Sequence, residues 1–147
     1  MPLQTWGAEF TPELWDKTPH LKRFERRFFP NDYVYQPESR VFAEWVTNGG
    51  HVVAFAVGEL AILGSKRVGY ITRTAVAKAH RGKGMNKQLV IALVNRFKYA
   101  GVHNVMTYTV VSNVTSLNSL LGCGFKPYWP TSEWAGPGVV YLRYKLC

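Results

Sequence analysis

Three cations and two glycines crowd one short stretch of this chain, where Arg81, Lys83 and Lys87 surround Gly82 and Gly84 in AHRGKGMNK. An apolar, strand-like run ends just before it and a helix-like run begins just after. The first amides of a helix lack carbonyl partners and carry partial positive charge, so an anion placed there meets donors that the fold already supplies. Glycine lets a ligand approach the backbone, and the flanking cations add Coulomb attraction. A phosphate group suits this arrangement best. The loop is not that of nucleotide hydrolases, because Lys87 is followed by Gln88 rather than Ser or Thr, and it lacks the third glycine of a dinucleotide fingerprint.

The charge of the chain supports an anionic ligand on that half. Of 147 residues, positions 60–132 hold ten Lys or Arg and no Asp or Glu, whereas positions 1–59 hold six cations against eight carboxylates. A solvated basic face would give the same count, so the distribution alone leaves both readings open. Cys123 and Cys147 have no metal-ligand spacing, and the opening MPLQTWGAEF lacks the pattern of a signal peptide, which together lead us to expect a cytoplasmic protein without a metal. The longest apolar run, VVAFAVGELAILG, contains Glu59 and falls short of the roughly 20 residues that a membrane helix needs.

The elements that must position the loop follow from periodicity. Thr11-Pro12-Glu13 is a good helix start, and a helix across 11–28 would turn Leu14, Leu21, Phe24 and Phe28 inward. A second helix is expected at about 37–48, carrying Val41, Phe42, Trp45 and Val46. From His51 onward the pattern becomes β-branched and aromatic, predicting antiparallel strands with turns at Gly58-Glu59 and Gly64-Ser65. Residues 84–100 form the long helix, with Met85, Leu89, Leu93, Phe97 and Ala100 as its main stripe, widened by Val90, Ile91 and Val94, and with Gly101 at its end. A strand at 102–111, a short helix at 114–122 and a last strand at 138–146 complete the order. Strand, helix, strand across 68–111 is a crossover unit, which joins parallel neighbours.

With these elements in place, Arg81-Gly82-Lys83-Gly84-Met85-Asn86 resembles the Arg/Gln-x-x-Gly-x-Gly/Ala motif of the GNAT superfamily of acyl-CoA-dependent N-acetyltransferases, with Asn86 departing from the small residue usual there. Asn113, Ser116 and Gly124-Phe125 resemble the second motif of that family at the usual separations. The resemblance covers roughly 50–146; the first fifty residues match only in being read as helical. It implies one α/β (α+β) domain over 1–147, a mixed and mostly antiparallel central sheet flanked by helices, its parallel central strands splayed at the cofactor site. Residues 1–50 would be the helical acceptor side and 51–147 the sheet and acetyl-CoA-binding core.

The resemblance further implies that the pyrophosphate of acetyl-CoA lies on the loop from Arg81 through Gly82, Lys83, Gly84, Met85 and Asn86 to Lys87. Thr74, Ala75, Val76 and Ala77 would offer backbone groups to pantetheine, with an N–H near Val76 as oxyanion donor. Asn113, with Ser116, would hold the pantetheine arm, although a strand-end Asn also commonly satisfies a turn. Where many relatives carry a Tyr that protonates the leaving thiolate, this chain has Leu120; Tyr108, Ser119 or a water would substitute, with Tyr108 and Ser119 preferred, and both residues also fit plain structural roles. No Glu lies on the strand before the loop, whose alternating face offers Tyr70, Thr72, Thr74 and Val76, so Glu59, His51 or a water would take the proton. His80 is expected to be a solvent-exposed loop residue, and Cys123 a packing residue. Glu13, Asp16, Glu25, Glu38 and Glu44 suit a cationic amine acceptor arriving from the N-terminal side, with Tyr128, Trp129, Glu133 and Trp134 as a wall of its pocket or as core. The function implied is transfer of an acetyl group to a primary amine of a small molecule or a protein, with a homodimer left open. A nucleic-acid-binding or nucleobase-modifying protein using the 60–132 cations, and a CoA-binding scaffold with weak catalysis, remain as alternatives.

Overall fold

The change of pattern at His51 marks the long strands of a mixed sheet, but strands also occupy the region before it. In the computed structural model, residues 4–10, 41–49, 51–63, 66–130 and 135–146 are described. They form β1 (Gln4–Phe10), β2 (Val41–Asn48), β3 (His51–Leu63), β4 (Lys66–Val76), a 3-10 turn (Lys78–His80), α1 (Met85–Tyr99), β5 (Asn104–Val110), α2 (Val114–Gly122), β6 (Lys126–Pro127) and β7 (Val139–Lys145). The sheet order is β1-β2-β3-β4-β5-β7-β6. Every neighbouring pair is antiparallel except β4 and β5, the parallel pair that the crossover through α1 requires.

The helix expected at 37–48 is, over Val41–Asn48, the strand β2, paired with β1 on one side and β3 on the other. The reason lies in its burial. Trp45 and Val46 are 7% and 4% exposed although successive, because a strand inside a sheet covered on both faces buries both parities. Such a run of apolar residues imitates the broad stripe of a buried helix. The helix expected at 11–28 and the turn at Gly64-Ser65 lie outside the described residues.

The turn expected at Gly58-Glu59 is absent, since β3 continues through it. Gly58 is there for packing: a Cβ at this position would lie 2.6 Å from Phe97 Cζ, and one at Gly69 on β4 would lie 2.8 Å from Phe97 Cδ1. Leu60 pairs with Gly69 and Gly58 with Ile71, so these glycines make a groove across β3 and β4 into which the fully buried Phe97 ring settles. Helix α1 thereby lies close on the sheet through Met85, Leu89, Val90, Leu93, Val94 and Phe97. Ile91, expected to widen that stripe inward, is 43% exposed. Its C-terminus is closed by Gly101 at φ +77° and by the Arg67 guanidinium, which donates to the Ala100 carbonyl at 2.9 Å.

Candidate active site

The loop after β4 is open where an anion would sit. The first intrahelical bond of α1 runs from the Gln88 amide to the Gly84 carbonyl at 3.1 Å, so the amides of Met85, Asn86 and Lys87 have no carbonyl within the helix. Gly84 is the N-cap in the left-handed region (φ +78°, ψ +12°), makes no side-chain cap, and no acidic residue stands in the first turn. A Cβ built on Gly82 or Gly84 would meet nothing within 4 Å, and Lys83 and Lys87 are exposed beside them. These residues fit a diphosphate, with donors presented and no side chain of the described residues filling the space. Arg81 does a second job, its Nε donating at 2.9 Å to the Val76 carbonyl and so tying the loop to the end of β4.

Behind the loop the sheet divides. Strands β4 and β5 pair only at Val68–Asn104, Gly69–Val105 and Tyr70–Met106; beyond that they part, β4 running on to Val76 and β5 to Val110. At the apex the buried Thr107 hydroxyl donates to the Ile71 carbonyl at 3.1 Å, supplying a partner that the ladder no longer provides. Between the parted strands lies a cleft of about 210 Å³, floored by Ile71 and Thr107 and closed on the helical side by Asn86, Val90 and Leu120.

The backbone of β4 addresses this cleft at alternate residues. The Ala77 amide donates to the Val53 carbonyl at 2.8 Å, and in an antiparallel ladder the hydrogen-bonding groups alternate in direction, so residues 73, 75 and 77 point to β3. Of the four residues expected to serve pantetheine, Ala75 and Ala77 are therefore committed to β3, and only Thr74 and Val76 turn their amides toward the split. The carbonyl of Val76 is already taken by Arg81.

The side chains do not alternate simply. The register of β3 with β4 shifts between Val57 and Gly58, where Val57 opposes Arg73 and Gly58 opposes Ile71, leaving Thr72 as an extra residue. Thr72 secures this bulge by donating its hydroxyl to the Val57 carbonyl at 3.1 Å. Gly58 faces α1, so Ile71 does too; Val57 faces away from α1, and Arg73 with it. The single face expected for Tyr70, Thr72, Thr74 and Val76 is thus broken: Tyr70 lies opposite Glu59 on the face away from α1, whereas Thr74 and Val76 lie on the α1 face.

The remaining expected residues fall into two groups. Asn113, Ser116 and Tyr108 line the cleft together with Asn86 and Thr74. Asn113 also caps α2, its Oδ1 accepting from the Ser116 amide at 3.1 Å, so the local role is filled and the Nδ2 is the group left to face a ligand. Ser119 stands behind Asn86, its hydroxyl accepting from Asn86 Nδ2 at 3.4 Å, and does not line the cleft. Met85 is buried beneath the mouth and offers its amide alone. His80, expected in solvent, is half-buried with its Nδ1 enclosed and without a protein partner. Cys123 is half-buried against Lys87, and burial raises its thiol pKa while Lys87 acts in the opposite direction, which suits packing rather than nucleophilic attack. Trp129 is 97% exposed and fills no core. Tyr128 is half-buried under the Arg143 guanidinium, 4.9 Å from its ring centroid. Glu13, Asp16, Glu25, Glu38, Glu133 and Trp134 lie outside the described residues.

Thr107 carries a role that the sequence reading missed. The signal for Thr107 was present, since a threonine at an inward position of NVMTYTV must satisfy its hydroxyl. The face that Arg73 takes depends on a bulge that no glycine announces. Among the described residues no cluster of His, Cys, Asp or Glu could hold a metal, and no helix is long and apolar enough to cross a membrane.

Comparison with known proteins agrees with this geometry. The structure is similar to that of Arabidopsis thaliana NAA60 in complex with acetyl-CoA, with a TM-score of 0.73, 14% identity, and coverage of 97% of this chain and 99% of that one. It is also similar to a Bacillus subtilis acetyltransferase in complex with CoA, with a TM-score of 0.65, 18% identity, and coverage of 99% and 100%. In sequence it is 27% identical over 106 residues to N-acetyltransferase 8B of Rattus norvegicus, covering 67% of this chain and 47% of that protein. The chain thus spans about half the length of that curated relative. The profile of the GNAT acetyltransferase family matches residues 3–125, reaching into the first fifty residues, where β1 and β2 take the place of an all-helical start. With most of its length matched by that profile and with its loop, crossover and parted strands in the corresponding order, the chain belongs to the GNAT acetyltransferase family.

Proposed function

We propose that the chain transfers an acetyl group from acetyl-CoA to a primary amine. The observation that carries this reading is the alignment of two donor sets along one path: the free amides of residues 85–87 at the helix mouth, then the amides of Thr74 and Val76 beside the cleft. The mouth would take the diphosphate, with Lys83 and Lys87 adding charge. The parted strands would take pantetheine, with Asn113 Nδ2 and Asn86 within the lining to fix its polar arm. An amide aimed at the thioester carbonyl stabilises the negative charge that develops there as an amine attacks.

Proton handling falls to the residues of the cleft. Tyr108 is the hydroxyl-bearing aromatic of the lining and would return a proton to the leaving thiolate. Leu120, buried at the position where a phenol is usual in relatives, can donate nothing. This favours a second reading, a CoA-binding protein of low turnover. Thermal melts titrated with acetyl-CoA, followed by release of free thiol across an amine panel, separate the two. Stabilisation with thiol release supports transfer. Stabilisation without release supports the second reading, and no stabilisation removes both.

A further inference from the structure

We infer that the edge of the sheet at β6 and β7 carries a second anion site, separate from the mouth of α1, for a small organic phosphate. A groove of about 470 Å³ opens there, lined by Gly124, Lys126, Pro127, Arg143, Tyr144 and Lys145. That volume falls within the roughly 300–1,000 Å³ of small-molecule sites. Lys126 pairs directly with Arg143, and Lys145 follows two positions along β7, so the three cations share one face. Gly124, Lys126, Pro127 and Lys145 are exposed, and the groove is open to solvent. Among the described residues no carboxylate follows Glu59 on β3. The Arg143 guanidinium lies over the Tyr128 ring, 4.9 Å from its centroid, a contact that fixes the side chain without neutralising its charge.

The backbone adds a donor. The Leu146 amide donates to the His103 carbonyl at 2.8 Å and the Tyr128 amide to the Tyr141 carbonyl at 3.0 Å, so along β7 the even-numbered residues address β5, whereas Tyr141, Arg143 and Lys145 address β6. The β6 ladder stops at Lys126, because the amides of Phe125 and Gly124 turn back to the Leu120 and Leu121 carbonyls at the end of α2, each at 3.1 Å. Lys145 therefore presents its amide to the groove without a backbone partner among the described residues. One amide and three cations match the oxygens of a phosphate monoester. The remaining wall is the Tyr144 ring, half-buried against Phe125 with the ring centroids 5.6 Å apart. Gly124 lets that ring lie in the wall, since a Cβ there would come within 3.0 Å of Tyr144 Cε2. An aromatic wall holds the organic body of an ester and gives nothing to bare phosphate. A peptide adding as a strand would find only the two residues of β6, one of them Pro127, and beyond them Lys145 alone, too little for a ladder. The groove also stands clear of the cleft: Asn104 pairs with both Lys145 and Val68, which places Lys145 at the closed end of the β4–β5 border, opposite to where the strands part.

The test is residue-resolved amide NMR of the full chain with excess acetyl-CoA present, titrated with AMP, glucose 6-phosphate, inorganic phosphate, adenosine and glucose. AMP or glucose 6-phosphate should shift the Lys145 and Gly124 amide signals saturably and bind at least about 10-fold more tightly than inorganic phosphate, while adenosine and glucose shift neither signal. Arg143→Gln should weaken binding of the ester about 10-fold, and Lys145→Gln about 3-fold. Should Arg143→Gln fail to fold, the double variant Lys126→Gln with Lys145→Gln, both at exposed positions, should weaken it about 10-fold. Ester-induced shifts confined to residues 85–87, no shift at Lys145 and Gly124 with either ester, affinity unchanged in the variants, or inorganic phosphate binding as tightly as the esters would each overturn the inference. A single-stranded oligothymidylate that shifts the same two signals at a dissociation constant more than about 10-fold below that of either ester would overturn it as well, assigning the groove to a nucleic-acid backbone.

Discussion

Replacing Gly84 by glutamate tests the mouth of α1 directly. A Cβ there meets nothing within 4 Å, so the fold loses only the freedom of a glycine held at φ +78°. For a side chain in the left-handed region that costs about 1–2 kcal/mol. With an unfolding entropy of about 2.1 cal/mol/K per residue, 147 residues give roughly 0.3 kcal/mol per degree, and the melting temperature should fall by about 3–6 °C. Binding should suffer far more. A carboxylate roughly 5 Å from one diphosphate charge repels it by about 3 kcal/mol at an effective dielectric constant near 20, and solvent at this exposed loop reduces that to about 1.4–2.7 kcal/mol. The dissociation constant for acetyl-CoA should therefore rise about 10- to 100-fold. Gly84→Ala shares the backbone strain without the charge and should lose less than about 10-fold. Calorimetric titration with acetyl-CoA, alongside melts of the unliganded proteins, reads both quantities. If Gly84→Glu binds acetyl-CoA within 2-fold of wild type, the diphosphate does not lie on these amides and the argument from the helix mouth fails.

Two further outcomes test the scaffold around the site. Gly69→Ala places a methyl group 2.8 Å from Phe97 Cδ1, and because that ring is fully buried the strain should cost about 1–3 kcal/mol, visible as a lower urea midpoint; an unchanged midpoint would contradict the groove. In a Cys147→Ser background, Cys123 should react with iodoacetamide at pH 8 at least 10-fold more slowly when folded than in urea, and equal rates would contradict its burial. The sign follows from the raised thiol pKa: the stabilisation from keeping Cys123 neutral is full below the unfolded thiol value of about 8.5 and is lost as pH rises through the higher folded value.

The sequence was most legible where the hydrophobic period changed sharply. The passage from β4 through Arg81-Gly82-Lys83-Gly84 into α1 and on to β5 switches from alternation to a helical stripe and back, so the crossover, its parallel partner strands and the loop between them could all be read. Helix α2 was equally clear, because Asn113 and the glycines after it mark its ends. Strand β2 was not, since Trp45 and Val46 are buried on opposite faces and the run loses its alternation. Gly58 misled for a different reason: a glycine that makes room for Phe97 has the same letter as one that makes a turn. The bulge at Thr72 left no local mark, because its extra residue is an ordinary β-former whose hydroxyl bond to Val57 involves a partner 15 positions away. The inward and outward assignments on β4, and with them the position of Arg73, therefore depended on tertiary pairing.

The junction between β4 and β5 has a mechanical consequence. Two half-sheets, β1 to β4 on one side and β5, β7 and β6 on the other, share three backbone pairs and the Thr107 bond at one end of their common border. The ladder therefore fixes only where the split begins: past Tyr70 and Met106 the two margins are held at their separation by α1 and by the hydrophobic core to which both halves contribute, Ile71 from one side and Val105, Leu120 and Leu142 from the other.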